Sequence, residues 1–360
     1  MNPRQAKKFI RIFAAITAAG LIAVSAIVAV IDPFFRYHDP LDAFPYVIDN
    51  QLSQNIGMAE RFAFDAVITG SSMTMNFDTD DFARCFPDSL RTLKLTMNGA
   101  YPHDIRRILE AVYSGKSART GGIRRVFIAL DPATWTAETE EVKYPYPEEL
   151  YDRNPFNDVR YLWNMRVLLE YCLRPAAERE ATPLNRIYMT DWEDDMYYTL
   201  DWILSRYEEP AAVPQETPAD AYLSGTERNL RENLLPFVEA HPETEFFFFF
   251  PPYSVLYWHN AIRENHLEAT LSQEQFLAET LLSADNVRVF TFQDMEEIIT
   301  NIDGGYMDEI HFRPEVNRMM TESFADGTHE ITDPEAMRAS IGRLRVIIED
   351  CDLDGVLSPR

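Results

Sequence analysis

Two short stretches of the chain hold residue types that can work together as a nucleophile and its base. In the first, Gly70-Ser71-Ser72 closes an apolar run from Asp65 to Thr69. A serine at a strand-to-helix turn presents its hydroxyl at the edge of a sheet and keeps its own N–H free to face a developing oxyanion. In the second, Asp308-Glu309-Ile310-His311 precedes Arg313-Pro314-Glu315, which reads as a helix start. An imidazole within reach of a hydroxyl can take its proton, and a carboxylate three residues earlier on the same loop can orient that imidazole and stabilise its charged form. Each stretch also has a plainer reading, as a helix-capping turn and as an acidic surface loop. Of the seven histidines, only His311 follows the last predicted strand with an aspartate at the third position before it.

Other chemistry has weaker support. Gly70-Ser71-Ser72-Met73-Thr74 lacks the second glycine of the α/β-hydrolase elbow, which disfavours that family. Ser254 competes as a nucleophile, but no glycine turn precedes it. His259 and His266, seven apart on one predicted helix, have no HExxH or carboxylate ladder beside them, so no metal site and no cofactor is expected. Cys85, Cys172 and Cys351 form no CxxC pair. Nucleotide or phosphoryl chemistry lacks any GxGxxG or Walker sequence.

The elements that must position these residues are visible as short runs of β-formers alternating with helical patterns. The runs are Asp65 to Thr69, Thr92 to Thr96, Arg125 to Leu130, Phe246 to Phe250 and Val287 to Phe292. Between the second and third, Ile105, Ile108, Leu109 and Val112 share one helical face. Five consecutive phenylalanines read as a strand buried on both faces. The predicted fold is α/β, a flavodoxin-like three-layer sandwich around a central, mostly parallel five-stranded sheet, preceded by one transmembrane helix. Ligands of such sheets bind beyond the carboxyl ends of the strands, where Ser72 and His311 both fall.

More than a hundred residues separate the third and fourth strands, and a mainly helical insertion is expected over about 132–240. It holds Val159, Leu162, Met165, Leu169 and Cys172 on one predicted helical face. It also carries an acidic cluster of Asp191, Glu193, Asp194 and Asp195, and a proline-rich loop from Pro210 to Pro218. The last helix is expected to start at Asp333-Pro334-Glu335, with Asp333 as N-cap.

At the N-terminus, Arg4, Lys7, Lys8 and Arg11 precede Ile12 to Ile31, twenty residues without a charge. That length matches a bilayer core. Val24-Ser25-Ala26 has the small-residue pattern of a cleavage site, but the apolar stretch is long for a removed signal, so residues 1–31 read as a tail and uncleaved anchor. The charge placement puts the N-terminus in the cytoplasm and residues 32–360 outside, at the cell membrane. Over 360 residues, 58 acidic against 33 basic side chains give a net charge of −25, which repels phosphate backbones and excludes a general nucleic-acid binder. The first 31 residues hold four of the basic side chains and no acidic one, so the part beyond Ile31 carries 29 basic and 58 acidic residues, a net −29.

The pattern from Ala66 to Thr74, then Asn98-Gly99, then Asp308-x-x-His311 with Phe312-x-Pro314-x-x-Asn317, resembles the SGNH/GDSL hydrolase superfamily. The likeness is to its membrane-anchored bacterial branch, which includes proteins of cell-wall polymer acylation such as the D-alanyl transfer protein of the teichoic-acid pathway and alginate O-acetyltransferases. Segments Tyr151 to Val159 and Phe250 to Trp258 are also similar to anchored proteins of that branch. The resemblance implies Ser72 as nucleophile, His311 as general base and then acid, and Asp308 as the residue that orients His311. It implies an oxyanion hole of the Ser72 and Gly99 N–H groups, with Asn98 as an auxiliary donor. The chain departs from the family at Asp131, where an asparagine usually completes that hole. Tyr253, Tyr257 and Trp258 fall where a substrate rim belongs and are expected either to stack on sugar rings or to pack the insertion against the sheet. Together these imply a membrane-anchored serine esterase or O-acyltransferase acting on an extracytoplasmic polysaccharide or cell-wall polymer through an acyl-serine. The alternative is a non-catalytic accessory or glycan-binding protein that partners a membrane-bound O-acyltransferase.

Overall fold

The computed structural model describes residues 2–189 and 194–357. The chain divides into two compact units, one formed by Met1–Phe62 with Pro145–Pro183, the other by Ala63–Tyr144 with Leu184–Arg360. This grouping differs from the single insertion expected over about 132–240. Its residues 145–183 belong with the N-terminal unit, and the rest stays with the sheet. Of the acidic cluster, Asp191 and Glu193 lie outside the described residues.

The larger unit is built on a six-stranded sheet in the order β2-β1-β3-β4-β5-β6. Strands β1 (Ala66–Thr69), β2 (Thr92–Lys94), β3 (Arg125–Ala129), β4 (Glu245–Phe250) and β5 (Val287–Thr291) are the five expected, within two residues at each end, and all pair in parallel. The first five positions reproduce the flavodoxin order. A two-residue β6 (Glu330–Ile331) is added antiparallel to β5 and had no legible period. The order in which strands are added reverses between β1 and β3, which run parallel, so the crevice at their carboxyl ends is the switch point where open α/β sheets bind ligands.

The phenylalanine strand packs both faces of the sheet. In β4, Phe247 and Phe249 point to one face, where Phe77, Phe86, Phe127, Phe290 and Phe324 close around them at ring separations of 4.6 to 6.3 Å. Phe246 and Phe248 fill the other face. All five are buried, as a central parallel strand requires. Helix Pro102–Ser114 buries Ile105, Ile108, Leu109 and Val112, and helix Pro334–Asp350 starts on the Asp333 cap, both as expected.

The smaller unit gathers around the end of α1 (Pro3–Ile31), the one helix among the described residues that is long and apolar enough to cross a membrane. Asp32 terminates it in a left-handed conformation, φ 49°. Its carboxylate accepts the N–H groups of Arg36, Tyr37 and His38 and the Tyr161 hydroxyl. Val28 then packs with Phe34, Leu150, Tyr161, Val167, Leu168, Tyr171 and Cys172. The single helical face predicted from Val159 to Cys172 is broken. Helix Val159–Leu162 ends before Asn164, whose side chain caps a new helix through the N–H groups of Arg166 and Val167. That helix winds as a π-helix over Val167–Leu173. The reset of phase buries Cys172 and leaves Val159, Met165 and Leu169 exposed.

Candidate active site

The turn after β1 is shaped by Gly70, whose φ of +143° and whose surroundings both exclude a side chain. A Cβ there would stand 3.1 Å from Ala129 Cβ and from Thr74 Cγ2. Beyond it, Ser71 caps a short 3₁₀ turn, Ser72–Thr74, accepting the Met73 N–H. The Ser71 carbonyl is held from two sides by the hydroxyls of Thr74 (2.8 Å) and Thr96 (2.6 Å), and the Gly70 carbonyl by the Met97 N–H (3.0 Å). Below the turn lies a residue whose role was not anticipated. Lys94, fully buried in β2, donates to the carbonyls of Met75 and Phe77 (2.7 Å for the latter), and burial pulls its pKa down to about 7. A lone lysine inside Thr92-Leu93-Lys94-Leu95-Thr96 was the signal available in the sequence.

The second loop is pinned independently. Tyr306 and Phe312 pair across it, and Met307 N–H donates to the His311 carbonyl. The Tyr306 hydroxyl reaches the Pro252 carbonyl at 2.7 Å, and Ser254 donates both N–H and hydroxyl to the Glu309 carbonyl. Ser254 is fully buried in that structural bond, which removes it as a competing nucleophile.

These two loops bring Ser72 and His311, 239 residues apart in sequence, to 2.8 Å between Oγ and Nε2. On the other side of the ring, His311 Nδ1 lies 2.6 Å from Asp308 Oδ2, while Asp308 Oδ1 accepts the N–H groups of Ile310 and His311. Burial by itself raises the Asp308 pKa. The imidazole's hydrogen bond and charge and the two backbone donors outweigh it, so the carboxyl stays below its ordinary range and is ionised at neutral pH. An ionised carboxylate accepts only, so the Nδ1 proton belongs to His311 and Nε2 faces Ser72 as an acceptor. The three groups form a continuous relay from hydroxyl to carboxylate.

The N–H groups of Ser72 and Gly99 have no acceptor among the described residues. Gly99 adopts φ +63°, and a Cβ there would meet the end of the Lys143 side chain at 2.9 Å. Asn98 beside it is exposed. At the end of β3, Asp131 is buried and accepts a 2.5 Å hydrogen bond from the Tyr253 hydroxyl and another from Ser71. Burial raises its pKa; the Tyr253 and Ser71 hydrogen bonds and the His311 charge offset that only in part.

That arrangement corrects the expected sugar-stacking rim. Tyr253 and Trp258 are buried, at 3% and 0% exposure, because the chain after Pro252 turns into helix Val255–Arg263 and packs them into the core. Tyr257 wedges edge-on between the two. His259 and His266 are not on one helix either. Asn265, left-handed at φ 55°, ends the first helix, and the imidazoles approach different glutamates, Glu209 and Glu264. Among the described residues no group of three or more metal-type ligands occurs, and none of the three cysteines is paired. A polar cavity of about 330 Å³ lies beside both loops, lined by Asn76, Asp78, Tyr198, Arg313 and Glu315 among others.

No family model matches this sequence, and no curated protein matches it. Among solved structures, the chain is similar to one named "a putative platelet activating factor from Streptococcus pneumonia", at 10% identity, covering 76% of this chain and 88% of that one, with a TM-score of 0.39. A likeness that distant carries no argument about chemistry. The α/β fold rests on the sheet order itself.

Proposed function

We propose that this chain is a serine esterase or O-acyltransferase, anchored in the membrane by α1 with its sheet unit outside, acting on an acyl ester of an extracytoplasmic polysaccharide. The observation that carries the reading is the Ser72–His311–Asp308 relay at 2.8 and 2.6 Å. Ser72 Oγ attacks the acyl carbonyl as His311 Nε2 takes its proton. The tetrahedral oxyanion faces the Ser72 and Gly99 N–H groups, and His311 returns the proton to the departing alcohol. An acyl-serine remains, which water or a sugar hydroxyl then resolves. The second reading, an accessory protein serving a membrane-bound O-acyltransferase, draws on one feature: Asp131 stands at the sheet edge where an amide donor would complete the oxyanion hole.

A fluorophosphonate probe separates the two. The full chain in detergent is expected to label at Ser72, with labelling abolished in Ser72→Ala and strongly reduced in His311→Ala. Absence of labelling in the wild type, or unchanged labelling in Ser72→Ala, favours the accessory reading. Turnover of a chromogenic acetate then distinguishes a hydrolase from a transferase, which turns over poorly with water as the only acceptor.

A further inference from the structure

The smaller unit exposes more apolar surface than its core needs. Phe156 is 87% exposed, and Val159, Trp163, Met165, Leu169 and Leu173 are each between 39% and 54% exposed. Met165, Leu169 and Leu173 recur every four residues on the outer side of the helix whose inner side buries Val167, Leu168, Tyr171 and Cys172. A helix with apolar side chains on both sides belongs in a core or in lipid, and among the described residues of this unit none buries Met165, Leu169 or Leu173.

What covers it is indicated by its attachment to α1. The Trp163 indole N–H donates to Ser25 Oγ at 2.8 Å, and the inner side of the helix packs on Val24, Val28 and Ile31. Ser25 lies six residues before the end of α1, about 9 Å along its axis. A side chain bonded there stands beside the span, not above it. Tryptophan is the residue favoured at such a depth. The charge pattern agrees: residues 153–179 hold five arginines against three acidic residues, in an exterior that is otherwise strongly acidic. Arg160, Arg166 and Arg174 are exposed, the last two beside Glu170 (2.7 Å) and Glu178 (3.7 Å), and arginine stems lie along apolar surface while their charged heads stay in the polar layer.

We infer that the helical segment 159–173, with Phe156, is an interfacial membrane element that lies in the outer leaflet against α1 and takes lipid as its partner. The inference rests on the anchoring reading above, and one experiment tells the two apart. The full chain, with Cys85→Ser, Cys172→Ala and Cys351→Ser, is reconstituted in phosphatidylcholine–phosphatidylglycerol nanodiscs. It carries an environment-sensitive fluorophore at one introduced cysteine, Leu169→Cys, Phe156→Cys, Ile16→Cys or Glu140→Cys. Acyl chains brominated near the headgroup are expected to quench the labels at 169 and 156 at least twofold, deep-brominated chains the label at 16, and neither the label at 140. Quenching at 16 with none at 169 and 156 overturns the interfacial element while α1 still spans. Labels at 169 and 156 shielded from aqueous iodide yet unquenched by bromolipid show a protein partner, such as a second copy, and also overturn it. No quenching at 16 removes both readings together.

Discussion

To act as the base proposed for it, His311 has to carry a proton at Nδ1 and receive one at Nε2, and Asp308 is what makes that tautomer stable. Its Oδ1 is saturated by two backbone N–H groups, so only Oδ2 is left for the ring. Asp308→Asn keeps the shape and inverts the hydrogen-bond preference, since an amide can donate to Nδ1 and turn the Nε2 proton toward Ser72. Turnover of a chromogenic acetate is expected to fall by about 10⁴-fold with KM little changed, because Asp308 does not touch the substrate. A loss shared equally by KM would argue against an orienting role. Asp131 poses the opposite problem, a carboxyl beside the nucleophile turn. Neutral, it is harmless to an oxyanion; ionised, it repels one. Its raised pKa keeps it neutral to higher pH than an ordinary carboxyl, so the repulsion grows as pH rises. Asp131→Asn cannot ionise, so its turnover relative to wild type is expected to rise as pH is raised, by less than the roughly 10² to 10³ of an ideally aimed donor. A flat ratio would show that Asp131 does not face the reacting oxygen.

The elements under the site carry their own titrations. Lys94 in β2 has a folded pKa near 7 against 10.5 unfolded, so the unfolded chain holds the extra proton between those values. Its contribution to stability is therefore full above 10.5 and is lost as pH falls to 7. Glu274, fully buried in helix Leu267–Leu281, is pushed up to about 8 from 4.5 by burial, with one oxygen bonded to Gln293 and the other without a partner among the described residues. The folded state holds that proton, so its contribution is full below 4.5 and is lost as pH rises to 8. In thermal unfolding, Glu274→Gln is expected to gain on wild type from about pH 5 to 7, and Lys94→Met to lose ground from about pH 8 to 10. Each slope is at most about 1.4 kcal/mol per pH unit. Parallel curves for variant and wild type would show that these groups titrate normally. Neither burial was legible beforehand, because a strand's period does not say whether a single lysine faces a carbonyl-lined pocket. The strands were legible where apolar β-formers ended at glycine, proline or aspartate. Two-residue β6 was too short to show a period, and the joining of residues 145–183 to the N-terminal unit is a tertiary choice no local pattern encodes. The pairing of Ser72 with His311 was readable from strand ends, whereas the fate of Tyr253 and Trp258 depended on a turn after Pro252 that folds them inward.

At the scale of the whole molecule, the net −29 beyond Ile31 bears on which polymer the proposed activity could take as substrate. Net negative charge makes the surrounding potential negative and repels any polyanion, and the effect reaches about 30 Å in about 10 mM salt but only about 8 Å near 0.15 M. A neutral acetylated polysaccharide has no charge for that field to act on. Deacylation or acyl transfer on such a glycan is therefore expected to vary less than about twofold in kcat/KM between those salt concentrations. An acylated polyphosphate polymer such as a teichoic acid is expected to be a poor substrate at low salt and to improve by about tenfold or more as salt rises, because screening removes repulsion from the encounter step. Both polymers are measured with the same chain and the same acyl group, so the ratio of their salt responses isolates the field from the chemistry at Ser72. If the polyanion is instead preferred at low salt, a local basic surface must override the net charge, and the neutral-glycan reading fails even though the Ser72–His311–Asp308 relay stands.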